Sequence, residues 1–307
     1  MNGLFLGTNK GLFVFKPDSE PICEINEAHI QYIESNQNGL TAAIIKNQGL
    51  FVRTENGQWQ LKWSGEIVSL KITQNNEIIA GVLPTKLIIS KDNGDSWQES
   101  KGIQSYIGNG SIETFITKKN SQKIQSIIEI SGSILIAIDQ VGILISHNLG
   151  SSWVRSSDGI DENIRLILDV NNDNEILYAF SENSLYRTDD FALNWKKITN
   201  INNEFNIVNA IVFKDHDDAL FLTVTNQNGK SDYKLMTITA SSSQEFDLNI
   251  SAETKYKNQI CIMKLPNSED TAFLGYDKKV WASHNRGKDW LQIKELPYNI
   301  LSMAVCF

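Results

Sequence analysis

The chain has 307 residues, 41% of them hydrophobic and 21% charged, with a formal net charge of −8. A chain of this length can bury about three quarters of its unfolded surface, so no disulfide or metal staple is needed. The negative balance argues against a nucleic-acid backbone or an anionic membrane as partner, and five prolines without a long polar tract argue against extended disorder.

The N-terminus reads as short apolar strands punctuated by glycine. Leu6-Gly7 and Gly11–Phe15 predict two strands. Gly3, Gly7 and Gly11 interrupt the run before a signal-peptide core can form. No apolar stretch approaches the roughly 20 residues of a membrane helix, and the chain is read as soluble and cytoplasmic. Ala42-Ala43 and Gly49–Arg53 repeat the two-strand pattern, and the shortened turn Thr54 to Trp59 follows. Ala80-Gly81 and Lys86–Ile89 repeat it again, and lead into Ser90-Lys91-Asp92-Asn93-Gly94-Asp95-Ser96-Trp97. A long insertion from Trp97 to Ile124 comes next. Gly142–Ile145 precedes Ser146 to Trp153, in which Asn148 and Gly150 hold the aspartate and glycine positions. Ser184–Arg187 precedes Thr188 to Trp195, which keeps Asp190 but lacks the glycine. The segment Ile207 to Ile250 carries no such turn. Lys279–Ala282 precedes Ser283 to Trp290, with Asn285 and Gly287 in place. A further strand is predicted upstream of several of these pairs, at Ile67 to Thr73, Ile124 to Ile130, Ile164 to Val170, Ile207 to Phe213 and Ile260 to Leu265. Helical apolar spacing is absent throughout.

The tryptophans set the period: 38 residues from Trp59 to Trp97, 56 to Trp153, 42 to Trp195 and 95, two periods, to Trp290. A unit of about 44 residues is the size of a four-stranded propeller blade, and it divides the length into seven. Ile300 to Val305 resembles the innermost strand of a unit, and the N-terminal unit lacks one. The expectation is an all-β, seven-bladed β-propeller over residues 1–307 as a single domain, its ring closed by pairing the C-terminal strand with the N-terminal blade.

The S-x-D-x-G-x-x-W pattern at this spacing resembles the Asp-box, or BNR, propellers, which include sialidases, xyloglucan hydrolases, sortilin-type receptors and the photosystem II assembly factor. The physical reading of the box is structural. The Ser or Thr hydroxyl and the Asp or Asn side chain can bond the turn's own N–H groups. Glycine supplies a left-handed position, and the tryptophan covers the blade edge.

Sialidases on this fold need an arginine triad. This chain has only Arg53, Arg155, Arg165, Arg187 and Arg286, and Arg165 alone falls on an innermost strand. Lysine does not replace the guanidinium fork, so a sialidase is disfavoured. Glu34, Lys71, Glu129, Arg165, Asp169 and Lys264 fall on innermost strands and make a weak ligand-binding set at the channel mouth. The four histidines make no defensible triad, and His147 and His284 read as solvated turn residues. No metal or cofactor is expected. Cys23, Cys261 and Cys306 read as buried small hydrophobes in a reducing compartment.

The leading expectation is a non-catalytic protein-interaction or ligand-binding scaffold. Its partner is a protein or a glycan, and binding runs through the boxless segment and the Trp97–Ile124 insertion. The alternative is a glycoside hydrolase or lyase at the channel mouth.

Overall fold

The computed structural model describes residues 3–17, 19–107, 122–156, 158–169, 176–181, 184–200, 205–213, 219–226, 233–238, 243–246, 260–266 and 268–307. Four-stranded antiparallel sheets make up nearly all of it. The first holds β1 (Gly3–Thr8), β2 (Gly11–Phe15) and β3 (Ile22–Asn26); the second holds β4 (Ile30–Ser35), β5 (Thr41–Ile45), β6 (Gly49–Arg53) and β7 (Trp59–Trp63). The third holds β8 (Ile67–Ile72), β9 (Ile78–Val82), β10 (Lys86–Ser90) and β11 (Gln98–Glu99). After a 3₁₀ turn at Lys101–Ser105 come β12 (Ile124–Ile130), β13 (Ser133–Ile138), β14 (Gly142–Ser146) and β15 (Val154–Arg155). The next sheet is β16 (Ile164–Asp169), β17 (Leu177–Ser181), β18 (Ser184–Thr188) and β19 (Lys196–Asn200). Then follow β20 (Phe205–Phe213), β21 (Ala219–Asn226), β22 (Tyr233–Ile238) and β23 (Ser243–Phe246). The chain ends with β24 (Cys261–Lys264), β25 (Ala272–Tyr276), β26 (Lys279–Ser283), β27 (Leu291–Glu295) and β28 (Ile300–Cys306).

The expected blade count is corrected here. Six blades, not seven, keep the repeat among the described residues. They are the sheets beginning at β4, β8, β12, β16 and β24, and the one formed by β28 with β1, β2 and β3. The β20–β23 sheet is also four-stranded, but it is built differently. Its β20 and β21 are nine and eight residues long, against seven at most in the six blades, as in β12 and β28. The residues between β22 and β23, like those between β2 and β3, carry no S-x-D-x-G-x-x-W sequence, so the difference lies in the strand lengths. Dividing the length by the tryptophan spacing yields seven because it treats this segment as an ordinary unit.

The pairing of β28 with β1 runs from Gly3↔Cys306 to Thr8↔Ile300, so the two ends of the chain share one sheet. Residues 1–61 with 203–307 form one compact unit, and residues 62–202 form the other.

The strands are apolar on both faces because both faces are covered. All residues of β5, β9, β14, β17 and β25 are buried. Such strands read as continuous hydrophobic runs rather than as alternation. Neighbouring sheets pack face to face: Ile79, Leu87 and Ile89 of one join Ile124, Ile127, Ile136 and Leu144 of the next in one cluster. Two of the fourth strands, β11 and β15, are two residues each and exposed, whereas β3, β7, β19 and β27 have five.

Candidate functional site

The first strand of a blade carries a bulge at a repeated place. The register shifts between Ile30 and Tyr32, Ile67 and Ser69, Ile124 and Ser126, and Ile164 and Leu166. A bulge takes one residue out of the ladder register and re-aims it. In β16 that residue is Arg165, which is exposed. The residue after the bulge ties one blade to its neighbour where it is serine. Ser69 Oγ donates to Ile124 O at 2.6 Å, and Ile167 N–H donates to Ser126 Oγ at 3.1 Å. Ser302 repeats the role on β28, accepting from Ile33 N–H at 2.9 Å. These serines carry the pattern I-x-S in the sequence, a signal the repeat search passed over.

At the same position β4 has Tyr32. Its hydroxyl donates to Glu34 Oε2 at 3.0 Å, and the Glu34 charge beside this exposed ring raises the phenol above the usual tyrosine range. Glu129 on β12 accepts the Gln74 N–H at 2.8 Å, from the turn of the preceding blade. Lys264 on β24 lies with its Nζ 5.9 Å from the centre of the Phe213 ring. Lys71 is half-buried on β8 and Asp169 half-buried at the end of β16. The set does not share one register. Lys71 lies two residues past Ser69, whereas Glu129 and Asp169 lie three past Ser126 and Leu166. Alternation along a strand therefore points Lys71 to the opposite side from the other two.

The S-x-D-x-G-x-x-W turns spend their polar groups on their own backbone. Ser90 Oγ accepts from Gly94 N at 2.7 Å and donates to Asp92 Oδ1 at 2.8 Å, and Asp92 accepts from Ser96 N and Ser96 Oγ at 2.8 and 2.6 Å. Ser146 with Asn148, Thr188 with Asp190, and Ser283 with Asn285 repeat the pattern. The Ser96 hydroxyl first, then the Ser96 amide and Ser90, hold the Asp92 carboxyl at about 2. Asp190 is likewise held at about 2, by the Asn194 side chain first and then the Asn194 amide and Thr188. His147 and His284 each use Nδ1 to bond a hairpin of their own blade, at Ser133 Oγ (2.8 Å) and Thr271 Oγ1 (3.3 Å).

Three of the turn tryptophans do more than cover an edge: their ring N–H groups reach the end of the preceding blade's fourth strand, whereas the buried Trp290 Nε1 has no partner among the described residues. Trp97 Nε1 donates to Lys62 O at 3.0 Å, Trp153 Nε1 to Ser100 Oγ at 2.9 Å, and Trp195 Nε1 to Ser156 O at 3.0 Å. Lys62, Ser100 and Ser156 are each three residues past the tryptophan of their own blade. Each clasp thus locks the next turn onto the previous blade. Trp59 makes a variant of it with Glu24 at 2.8 Å, beside the Arg53–Glu24 ion pair at 2.7 Å. The start of the insertion joins one clasp: Tyr106 Oη donates to Trp153 O at 2.9 Å, and Ile103 is fully buried against that ring. Residues 108–121 of the insertion, and residues 227–232 of the boxless segment, lie outside the described residues.

Cys261 is buried, and burial pushes its thiol up to about 12. Cys23 is exposed, contrary to the expectation that all three are buried. Among the described residues no helix is long and apolar enough to cross a membrane.

No protein-family model and no curated protein matches the sequence. Solved structures do match. The GH74 xyloglucanase from Xanthomonas campestris aligns with a TM-score of 0.60 at 11% identity, over 86% of this chain and 45% of that one. YCF48 from Cyanidioschyzon merolae aligns at 0.60 and 11%, over 94% and 92%, and the WD40 propeller domain of Doa1 at 0.60 and 11%, over 98% and 90%. The fold is a β-propeller. This chain spans less than half the length of the xyloglucanase it matches.

Proposed function

We propose that this chain is a non-catalytic, cytoplasmic binding scaffold, a single propeller domain over residues 1–307 of the Asp-box (BNR) kind, whose partner is a protein. The observation that carries this reading is how the polar side chains are used. Asp92, Asn148, Asp190 and Asn285 serve their own turns. Of the first-strand acids, Glu34 holds the Tyr32 phenol and Glu129 holds a backbone N–H. A two-carboxylate glycosidase needs one acid to deliver a proton and a second to act as base or nucleophile across a sugar cleft. Carboxylates committed to neighbouring donors support binding over turnover. Glu34, Lys71, Glu129, Arg165, Asp169 and Lys264 remain a weak ligand-binding set in this reading, with no single contact surface assigned to them. Fold likeness does not choose between the readings, because propellers host unrelated activities.

The test is two assays on one preparation. The purified chain is incubated with xyloglucan and a panel of aryl glycosides, and a tagged copy is recovered from native lysate for mass spectrometry. The scaffold reading expects no sugar release and one protein enriched near stoichiometry. Sugar release lost in Glu34→Gln or Glu129→Gln would overturn it.

A further inference from the structure

The clasps in the 62–202 unit differ at one place. In the turn Ser146 to Trp153, the residue before the glycine is Leu149, packed against the core, and the residue after it is Ser151. The strand it docks on presents Gln98 two residues before Ser100. In the turn Thr188 to Trp195, the same three places are Phe191, Leu193 and Val154. All three are exposed, at 39%, 69% and 60%. Val154 lies two residues before Ser156, so it projects to the same side of its strand. Ser156 Oγ donates to Ala192 O, which places that side against the turn. Phe191, Leu193 and Val154 thus flank the seam at which Ser156 bonds Ala192.

The backbone there is also unusual. The first place is left-handed in every turn, Phe191 at φ 60° like Asn93, Leu149 and Arg286, but the second place is Ala192 at φ 64°, where the sister turns have glycine with φ of 75° to 89°. Strain of this kind persists where the surroundings over-determine it, and it clusters at functional sites. Exposed apolar clusters rimmed by polar residues mark interaction sites.

The rim selects the occupant. Exposed Asp158, Asp161 and Glu162 lie in the segment that hands Asp158 O to Trp195 N at 3.0 Å, and Asp189 lies in the turn itself. Of the cations nearby, Arg155 meets Glu162 at 3.8 Å and Lys196 meets Asp189 at 4.0 Å, while Lys197 follows on β19. The acids outnumber the cations. A second copy of a chain carrying −8 would bring like charge to this rim.

We propose that the seam of Val154, Phe191 and Leu193 docks an apolar segment of a partner protein flanked by lysine or arginine. This rests on the scaffold reading and gives it a surface. The test places a photo-crosslinking phenylalanine analogue at Leu193 of the full chain. The control places it at Leu291, equally exposed at 69% on β27 of another blade. Both are irradiated in native lysate, and the adduct peptide is sequenced and synthesised. The expected adduct at 193 carries apolar residues between basic ones. The synthetic peptide should bind the wild-type chain and lose about tenfold affinity to Leu193→Glu. Leu193 is exposed, so this variant should keep the wild-type melting curve. An adduct that is a second copy of this chain, an acidic peptide, or equal labelling at 291 would overturn the proposal. A partner captured equally by wild type and Leu193→Glu removes the seam and leaves the scaffold. Capture of nothing by wild type removes both.

Discussion

Two seams of the same unit, one at Ser100 and one at Ser156, answer one problem in different ways. At the first, Ser100 Oγ donates to Gly150 O at 2.6 Å and accepts Trp153 Nε1. Gly150 has no room for a side chain: a Cβ there would lie 2.8 Å from Ile89 Cδ1 and 3.2 Å from Ser100 Oγ. Tyr106 and Ile103 then close over the tryptophan. At the second, the tryptophan takes the Ser156 carbonyl instead, and Ala192 fits fully buried where glycine stands elsewhere. Trp195 is covered by the segment after Ser156, where Asp158 O accepts Trp195 N–H at 3.0 Å and Ile160 packs on the cluster that holds the ring, but here Val154, Phe191 and Leu193 face outward. The two seams bury their rings alike and differ in this rim, polar at the closed seam and apolar at the open one.

The largest expected effect tests the closed seam. Trp153→Ala removes a ring that is 6% exposed and should cost about 3–5 kcal/mol. Trp195→Ala, 4% exposed, should cost a similar amount by urea unfolding, because the open seam buries the ring no less. A Trp195 cost below about 1 kcal/mol would break the comparison.

Next is the glycine position. Gly150→Ala forces a methyl into Ile89 at left-handed φ and should destabilise by about 1–3 kcal/mol. Ala192→Gly releases strain and loses one buried methyl, terms of similar size, so its unfolding free energy should change by less than about 1 kcal/mol. Equal losses at both sites would show that the seams are packed alike.

The serines come third. Ser100→Ala removes two bonds and leaves the indole N–H and Gly150 O without their partner, a cost of about 2–3 kcal/mol. Ser156→Ala removes one side-chain bond, because the indole there uses the backbone, and should cost about 1 kcal/mol. Thermal unfolding of the pair gives the order directly.

The smallest effect is electrostatic. The folded-state pKa of Asp92 is held at about 2, below its unfolded value of about 3.9. The unfolded chain therefore binds more protons between these values, and stability falls as pH drops through that window. The contribution is complete above about pH 4. Asp92→Asn, the residue found naturally at 148 and 285, should leave stability at pH 7 nearly unchanged and flatten the acid limb. An unchanged acid limb would mean the carboxylate's bonds are not what the charge senses.

The repeat itself was legible because the turn chemistry is local. Serine, aspartate and glycine at fixed spacing satisfy one another within eight residues, and the bonds at Ser90, Ser146, Thr188 and Ser283 follow. Strand pairing between β28 and β1 was legible from the missing strand at the start. The blade count was not, because dividing a length by a period cannot see that β20 and β21 are longer than a unit allows. The clasps were not legible either. Trp153 and Ser100 lie 53 residues apart, and only packing of successive blades brings them together. The first-strand acids were found by pattern, but their register was not, because it depends on bulges such as that between Ile164 and Leu166.

The central claim is that this propeller works by holding a partner at the open seam. The direct measurement is quantitative recovery of co-purifying protein from native lysate with three forms of the chain: wild type, Leu193→Glu and Leu291→Glu. The account predicts one near-stoichiometric protein with wild type and Leu291→Glu, and its loss with Leu193→Glu at an unchanged melting temperature. Equal recovery with all three, or loss with Leu291→Glu alone, would contradict it.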